Sequence, residues 1–109
     1  LGQQAIATFF NAELENLVNV KHGVTSQITH FNNCRLFSNI PQNFKVGHYH
    51  SWVVSRSDFP EDLNVTSENE DRIITSINHK AYDITAVQFH PESILTEYGI
   101  QLIRNWVLD

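Results

Sequence analysis

The sequence predicts an α/β domain, or part of one, with helices at the two ends of a sheet. Three observations carry this. Ile6, Phe9, Phe10, Leu14 and Leu17 recur near the start at helical spacing. Gly99, Leu102, Ile103, Trp106 and Val107 recur at i, i+3, i+4, i+7 and i+8 near the end. Between them lie short β-branched and aromatic runs cut by turn residues. The order helix, many strands, helix lacks the repeated βα units that would complete a parallel sheet. The 109 residues are therefore expected to be part of a larger sheet domain.

Taken in order, the first helix is expected to start near Leu1 or Gly2 and to end around Asn11 to Glu15. A β-type run follows at Leu17-Val18-Asn19-Val20, then a turn at His22-Gly23. Ser26 to Phe31 alternates polar and apolar and reads as a strand. Asn32-Asn33 and Ser38-Asn39-Ile40-Pro41 are turn punctuation. Phe44 to Ser51 and Trp52 to Ser55 read as one or two strands. Leu63 to Ser67 and Arg72 to Asn78 form a hairpin-like pair around a solvated acidic turn, Glu68-Asn69-Glu70-Asp71. Ala86 to Phe89 is a strand closed by His90-Pro91, and residues 96 to 107 form the last helix. Gly99 on its apolar face would let that helix lie close to a sheet.

Composition excludes several classes. Apolar residues make up 41% and charged ones 17% of the chain, which suits a packed core rather than a disordered segment. Seven Lys+Arg against twelve Asp+Glu leave a net charge of -5, which argues against a nucleic-acid binder. No apolar run approaches the roughly 20 residues that span a bilayer, and no secretory signal is visible at the start. A single Cys excludes an internal disulfide framework and a Cys-rich zinc module. The chain contains no Met and begins with Leu1, so it reads as a piece that starts in mid-domain.

The strongest chemical signal is Gln88-Phe89-His90-Pro91-Glu92-Ser93. A strand delivers His90 to its end, and Pro91, lacking an N–H, stops the ladder there. Glu92 is close enough to orient the imidazole and fix its tautomer, as in a nucleophile–base–carboxylate triad. The simple alternative is a histidine at a strand end before a turn. His48 and His50 would share one strand face, a possible metal pair. No second close ligand pair accompanies them, so no metal or cofactor is expected. Cys34 sits in a turn-rich stretch away from any helix N-terminus and reads as an inert thiol, although Arg35 beside it could favour the thiolate. Asn64-Val65-Thr66 matches a glycosylation acceptor but reads as a strand start. Trp52 and Trp106 read as core or interface residues.

Together these segments resemble the C-terminal part of a class I, triad-type glutamine amidotransferase. Leu1-Gly2-Gln3-Gln4-Ala5-Ile6 is similar to the segment after the family's nucleophile, usually Cys-Leu-Gly-His-Gln-Ala. Val87-Gln88-Phe89-His90-Pro91-Glu92 matches a motif shared by the whole class. His22-Gly23-Val24-Thr25-Ser26, Tyr49-His50-Ser51-Trp52-Val53-Val54 and Ser93-Ile94-Leu95-Thr96-Glu97-Tyr98-Gly99 resemble the glutaminase subunits of anthranilate and aminodeoxychorismate synthases.

The resemblance implies a flavodoxin-like α/β fold and hydrolysis of glutamine. His90 would be the base and Glu92 its orienting carboxylate. Gln4 would contact bound glutamine, Ser51 and the backbone at Trp52 would hold the substrate's amino-acid end, and the backbone N–H of Leu1 would be an oxyanion donor. The nucleophilic Cys would immediately precede Leu1, so the 109 residues alone are expected to be inactive and poorly soluble. The implied setting is a cytoplasmic heteromer that passes ammonia to a chorismate-using synthase subunit, with no nucleic acid and no membrane. Five positions depart from the pattern. Gln3 replaces the usual His, Asn11-Ala12 the usual Gly-Gly, Val24 a common Lys and Trp52 a common Leu. Two other readings stand beside this one: a non-catalytic remnant that binds a partner, and a metal-binding β domain built on His48 and His50.

Overall fold

The structure, a computed structural model, describes residues 2–16, 24–31, 34–48, 52–93 and 96–108. Leu1, the run at 17–20, the turn at 22–23, Asn32, Asn33, Tyr49, His50, Ser51 and the side chain of His48 lie outside the described residues. Among the described residues the order is α1 (Gly2–Phe9), β1 (Leu14–Asn16), β2 (Val24–His30), a 3₁₀ turn (Arg35–Phe37), β3 (Phe44–His48), β4 (Trp52–Val54), β5 (Leu63–Asn69), β6 (Ile74–His79), β7 (Thr85–Val87) and α2 (Gly99–Leu108). The α/β class expected from the end helices and the strands between them is the observed one.

Helix α1 stops earlier than its apolar spacing suggests. Asn11 adopts a left-handed φ of 72°. The N–H of Ala12 bonds to the carbonyl of Ala7 at 2.9 Å, and that of Asn11 to Thr8 at 3.0 Å. This pair of bonds is the Schellman closure, which satisfies carbonyls that the helix end would orphan. Asn tolerates the conformation better than other non-glycine residues do, so Asn11 serves where the family has glycine. Leu14, which fits the helical period, belongs instead to β1 and pairs with Val54.

The strands form a two-stranded ribbon, β1-β4, and a five-stranded antiparallel sheet in the order β3-β2-β5-β6-β7. The main sheet is strongly curled. Edges β7 and β3 would stand about 19 Å apart in a flat sheet. Yet the N–H of Gln88 bonds to Thr75 of β6 at 2.9 Å, and the N–H of His90 bonds to Gly47 of β3 at 3.0 Å. Two residues reach at most about 7 Å, so β3 must swing round towards the segment after β7. Register shifts between Val65 and Ser67 and between Ser67 and Glu68 supply bending in the β5–β6 pair. Buried hydroxyls of Thr66, Ser67, Thr75 and Ser76 bond to one another there.

Two apolar clusters pack the two faces. Ile28, Leu36, Phe37, Phe44, Val46, Phe89 and Leu102 form one, and Phe89 meets Phe44 edge-on at 6.3 Å. Ala7, Val54, Leu63, Ile74, Ile77 and Ala86 form the other, under α1 and the ribbon. The hairpin turn is not simply solvated. Glu68 pairs with Arg56, Glu70 accepts the N–H of Gln27 at 2.8 Å, and Asn69 accepts those of Asp71 and Ile73.

Helix α2 begins at Gly99, three residues later than expected, after Tyr98 takes a left-handed φ of 58°. Its buried face also differs. Leu102 and Asn105 point inward, whereas Ile103, Trp106 and Val107 are exposed. Asn105 is drawn in because its amide donates to the carbonyls of Leu36 at 2.7 Å and Ser38 at 2.9 Å, ending the 3₁₀ turn. The close approach of Gly99 is to a loop, not to the sheet: a Cβ there would lie 2.1 Å from the Pro91 carbonyl oxygen.

Candidate active site

β7 stops at Val87, two residues short of the expected Phe89, but side chains go on alternating past its end, with Ala86 and Gln88 towards α1 and Val87 and Phe89 towards the other face. Ala86 packs in the cluster under α1, and Phe89 in the opposite cluster. The turn at Pro91 then returns the chain so that Nδ1 of His90 lies 3.0 Å from Oε2 of Glu92. Both side chains are partly open to solvent, 41% for His90 and 68% for Glu92. A carboxylate at Nδ1 selects the tautomer with its proton on that nitrogen, which leaves Nε2 as the basic position.

The backbone of His90 is held from two further directions. The Thr96 hydroxyl donates to the His90 carbonyl at 2.6 Å and accepts the N–H of Gly47 at 2.9 Å. The next residue, Glu97, binds β3 through Lys45, its N–H bonding to the Lys45 carbonyl and its carboxylate accepting the Lys45 N–H, both at 2.8 Å.

Two of the residues expected to bind substrate also meet. The Gln4 amide donates to the Trp52 carbonyl at 2.9 Å. The Gln88 amide donates to the same oxygen at 2.6 Å, and its own carbonyl oxygen accepts the Gln3 amide at 2.8 Å. Trp52 is 47% exposed and Trp106 64%, so of the two roles expected of them, core or interface, neither is a core residue. Leu1 and Ser51, the other two expected site residues, lie outside the described residues.

Cys34, Arg35 and Asn64 take no part in these contacts. Cys34 is half-buried, packs against the aromatic cluster and immediately precedes the 3₁₀ turn, a helix start that the sequence did not signal. Arg35 turns away to pair with Asp83 at 3.1 Å. Asn64 lies within β5 and donates its amide to Asn78 at 3.1 Å. Beside β7 an apolar groove of about 390 Å³ runs between the helices, with Gln3, Ile6, Phe89, Leu102 and Trp106 in its walls and Glu92 at its lining. Sequence reasoning assigned no role to Gln88 or Thr96. Gln88 carried a usable signal, since it stands two residues before His90 on one strand line; Thr96 carried none.

The family model described as "Glutamine amidotransferase class-I" matches residues 1–109. The chain is 42% identical over 107 residues to aminodeoxychorismate synthase component 2 of Escherichia coli, covering 98% of this chain and 57% of that protein. It is 36% identical over 107 residues to anthranilate synthase component 2 of Mycobacterium tuberculosis, covering 98% and 46%. A crystal structure of a glutamine amidotransferase from Thermotoga maritima superposes with a TM-score of 0.69 at 15% identity, over 97% of this chain and 42% of that one, which supports the fold alone. The chain spans about half the length of the curated relatives it matches. A family match over the whole of its length, together with a His-Pro-Glu pair in hydrogen-bond contact, shows that the chain belongs to the class I glutamine amidotransferases.

Proposed function

We propose that this chain supplies the base, its orienting carboxylate and part of the glutamine site of a glutaminase that feeds ammonia to a chorismate-using synthase subunit. The observation that carries this reading is the contact of His90 Nδ1 with Glu92 Oε2 at the end of the β7 segment. The relatives named as components of anthranilate and aminodeoxychorismate synthases support the choice of partner. The proposed domain includes a preceding half, with a Cys immediately before Leu1, and works in the cytoplasm.

In the proposed reaction the thiol stands at the N-terminus of α1, where unpaired N–H groups and the helix dipole favour a thiolate and an oxyanion. His90 takes the thiol proton at Nε2, and the thiolate attacks the carbonyl carbon of the glutamine side-chain amide. The tetrahedral oxyanion collapses, the C–N bond breaks, and protonated His90 delivers a proton to the departing ammonia. A thioester remains. His90 then takes a proton from water, the hydroxide attacks the thioester, and glutamate and the thiol are released. Glu92 holds the ring through Nδ1 and stabilises its cationic form.

The test is glutamine hydrolysis by the complete domain, His90→Ala against the unmodified protein. Loss of at least about 10³-fold in kcat is expected on removing the base of such a unit. Full activity in His90→Ala would sink the assignment.

A further inference from the structure

We propose that Gln88 is a positioning residue for the glutamine site. It locks the Trp52 carbonyl through a buried relay of amides that runs from Gln3. This deepens, and rests on, the proposed glutaminase reading.

Strand β4 needs such a lock. It has three residues and pairs only with the equally short β1 among the described residues. A two-stranded ribbon of this size is not stable by itself. Trp52 is its first residue and the last of the segment that the family resemblance assigns to the substrate's amino-acid end. Gln88 stands on the curled main sheet, anchored by its own N–H to Thr75 of β6 at 2.9 Å. Its side chain reaches across to the Trp52 carbonyl at 2.6 Å, so the rigid sheet sets the orientation of the 52–53 peptide.

The relay has a direction. Gln88 can aim its NH₂ at Trp52 only if its carbonyl oxygen faces Gln3. Gln3 must then present NH₂ to that oxygen, as it does at 2.8 Å. Rotating either amide by half a turn would set like groups against each other. Both side chains are buried, Gln3 fully and Gln88 to 5% exposure, so water offers no alternative partners. Gln3 Oε1 has no partner among the described residues, so the amide is bonded here through its donor end. Gln4 also donates to the Trp52 carbonyl. The substrate-contacting glutamine and the positioning glutamine thus converge on one oxygen, and neighbouring residues of α1 are coupled to the strand line that ends in His90. At position 3 the usual family residue is His, whose ring N–H can likewise donate to Gln88.

The test compares Gln88→Met, Gln3→Leu and Gln3→His in the complete domain, reading glutamine kinetics and amide hydrogen exchange at residues 52–54. In Gln88→Met, KM for glutamine should rise about tenfold with kcat within about threefold, the pattern of lost ground-state positioning. Exchange in β4 should quicken by about tenfold, as for one lost hydrogen bond, with β5 and β6 unchanged. Gln3→Leu should shift both readouts in the same sense, and Gln3→His should recover most of that shift. Unaltered KM and β4 exchange in Gln88→Met would overturn the proposal, as would faster exchange spread evenly over β4, β5 and β6. If Gln88→Met does not fold, Gln3→Leu against Gln3→His decides by the same readouts. A complete domain that does not hydrolyse glutamine would refute the glutaminase reading, while β4 exchange would still decide whether the relay holds Trp52.

Discussion

The Thr96 hydroxyl lies 2.6 Å from the carbonyl oxygen of His90 and donates to it, while accepting the Gly47 N–H at 2.9 Å. One small side chain therefore ties the histidine's backbone to an edge strand of the curled sheet. Thr96→Val keeps the shape and removes the hydroxyl, leaving a Gly47 N–H and a His90 carbonyl without this partner. Destabilisation of about 1–3 kcal/mol is expected from such a loss. A fall in kcat of about tenfold should accompany it if His90 is the proposed base, because a small displacement of such a group is costly. Thr96→Ser should keep most of both. Equal kcat in Thr96→Val and the unmodified domain would show that the clamp does not act on His90.

Gly99 is required by contact, not by conformation. Its added Cβ would meet the Pro91 carbonyl oxygen at 2.1 Å, and neither side of that contact is a flexible side chain. Gly99→Ala should cost about 2–3 kcal/mol by overpacking. Because Pro91 separates His90 from Glu92, glutamine hydrolysis should fall as well. Denaturant unfolding of the complete domain checks the first part and a glutaminase assay the second. A neutral Gly99→Ala would mean that α2 can move away freely.

The close of α1 is tested at Asn11, whose φ of 72° favours Gly or Asn. Asn11→Gly should be neutral or slightly stabilising, and Asn11→Ala should destabilise by about 1 kcal/mol. The comparison is read as the difference in Tm between the two variants. Equal Tm values would show that the Schellman closure contributes nothing there.

Asn105 should behave as a structural polar residue on a helix face read as apolar. Asn105→Leu strands the carbonyls of Leu36 and Ser38, which both accept from its amide. A loss of about 2 kcal/mol is expected despite the more apolar side chain. Asn105→Leu equal to or more stable than the unmodified protein in denaturant unfolding would contradict this.

The end helices and most strands were legible because their periods are local properties. Ser26 to Phe31 alternates, and β2 occupies Val24–His30. The hairpin pair became β5 and β6 nearly where expected. Helix limits were not legible. Asn11 ends α1 through a left-handed turn that apolar spacing does not encode, and α2 waits for the left-handed Tyr98. The buried face of α2 is not legible either: apolar count favours Trp106 and Val107, whereas two carbonyls on a distant turn select Asn105.

For the candidate site, the sequence by itself determined the chemistry available. A His90-Pro91-Glu92 run just past a strand puts a carboxylate within reach of an imidazole, since two residues and a proline leave little freedom. Only the tertiary structure decided what surrounds that pair. Gln88, Gln3, Gln4 and Trp52 meet because α1 packs against both β7 and the β4 ribbon. Thr96 reaches His90 and Gly47 at once because the same curl brings β3 to the segment after β7. Local periodicity is set by near neighbours along the chain, but these contacts join residues as many as 85 positions apart. They depend on helix packing and sheet curvature, which no single segment specifies.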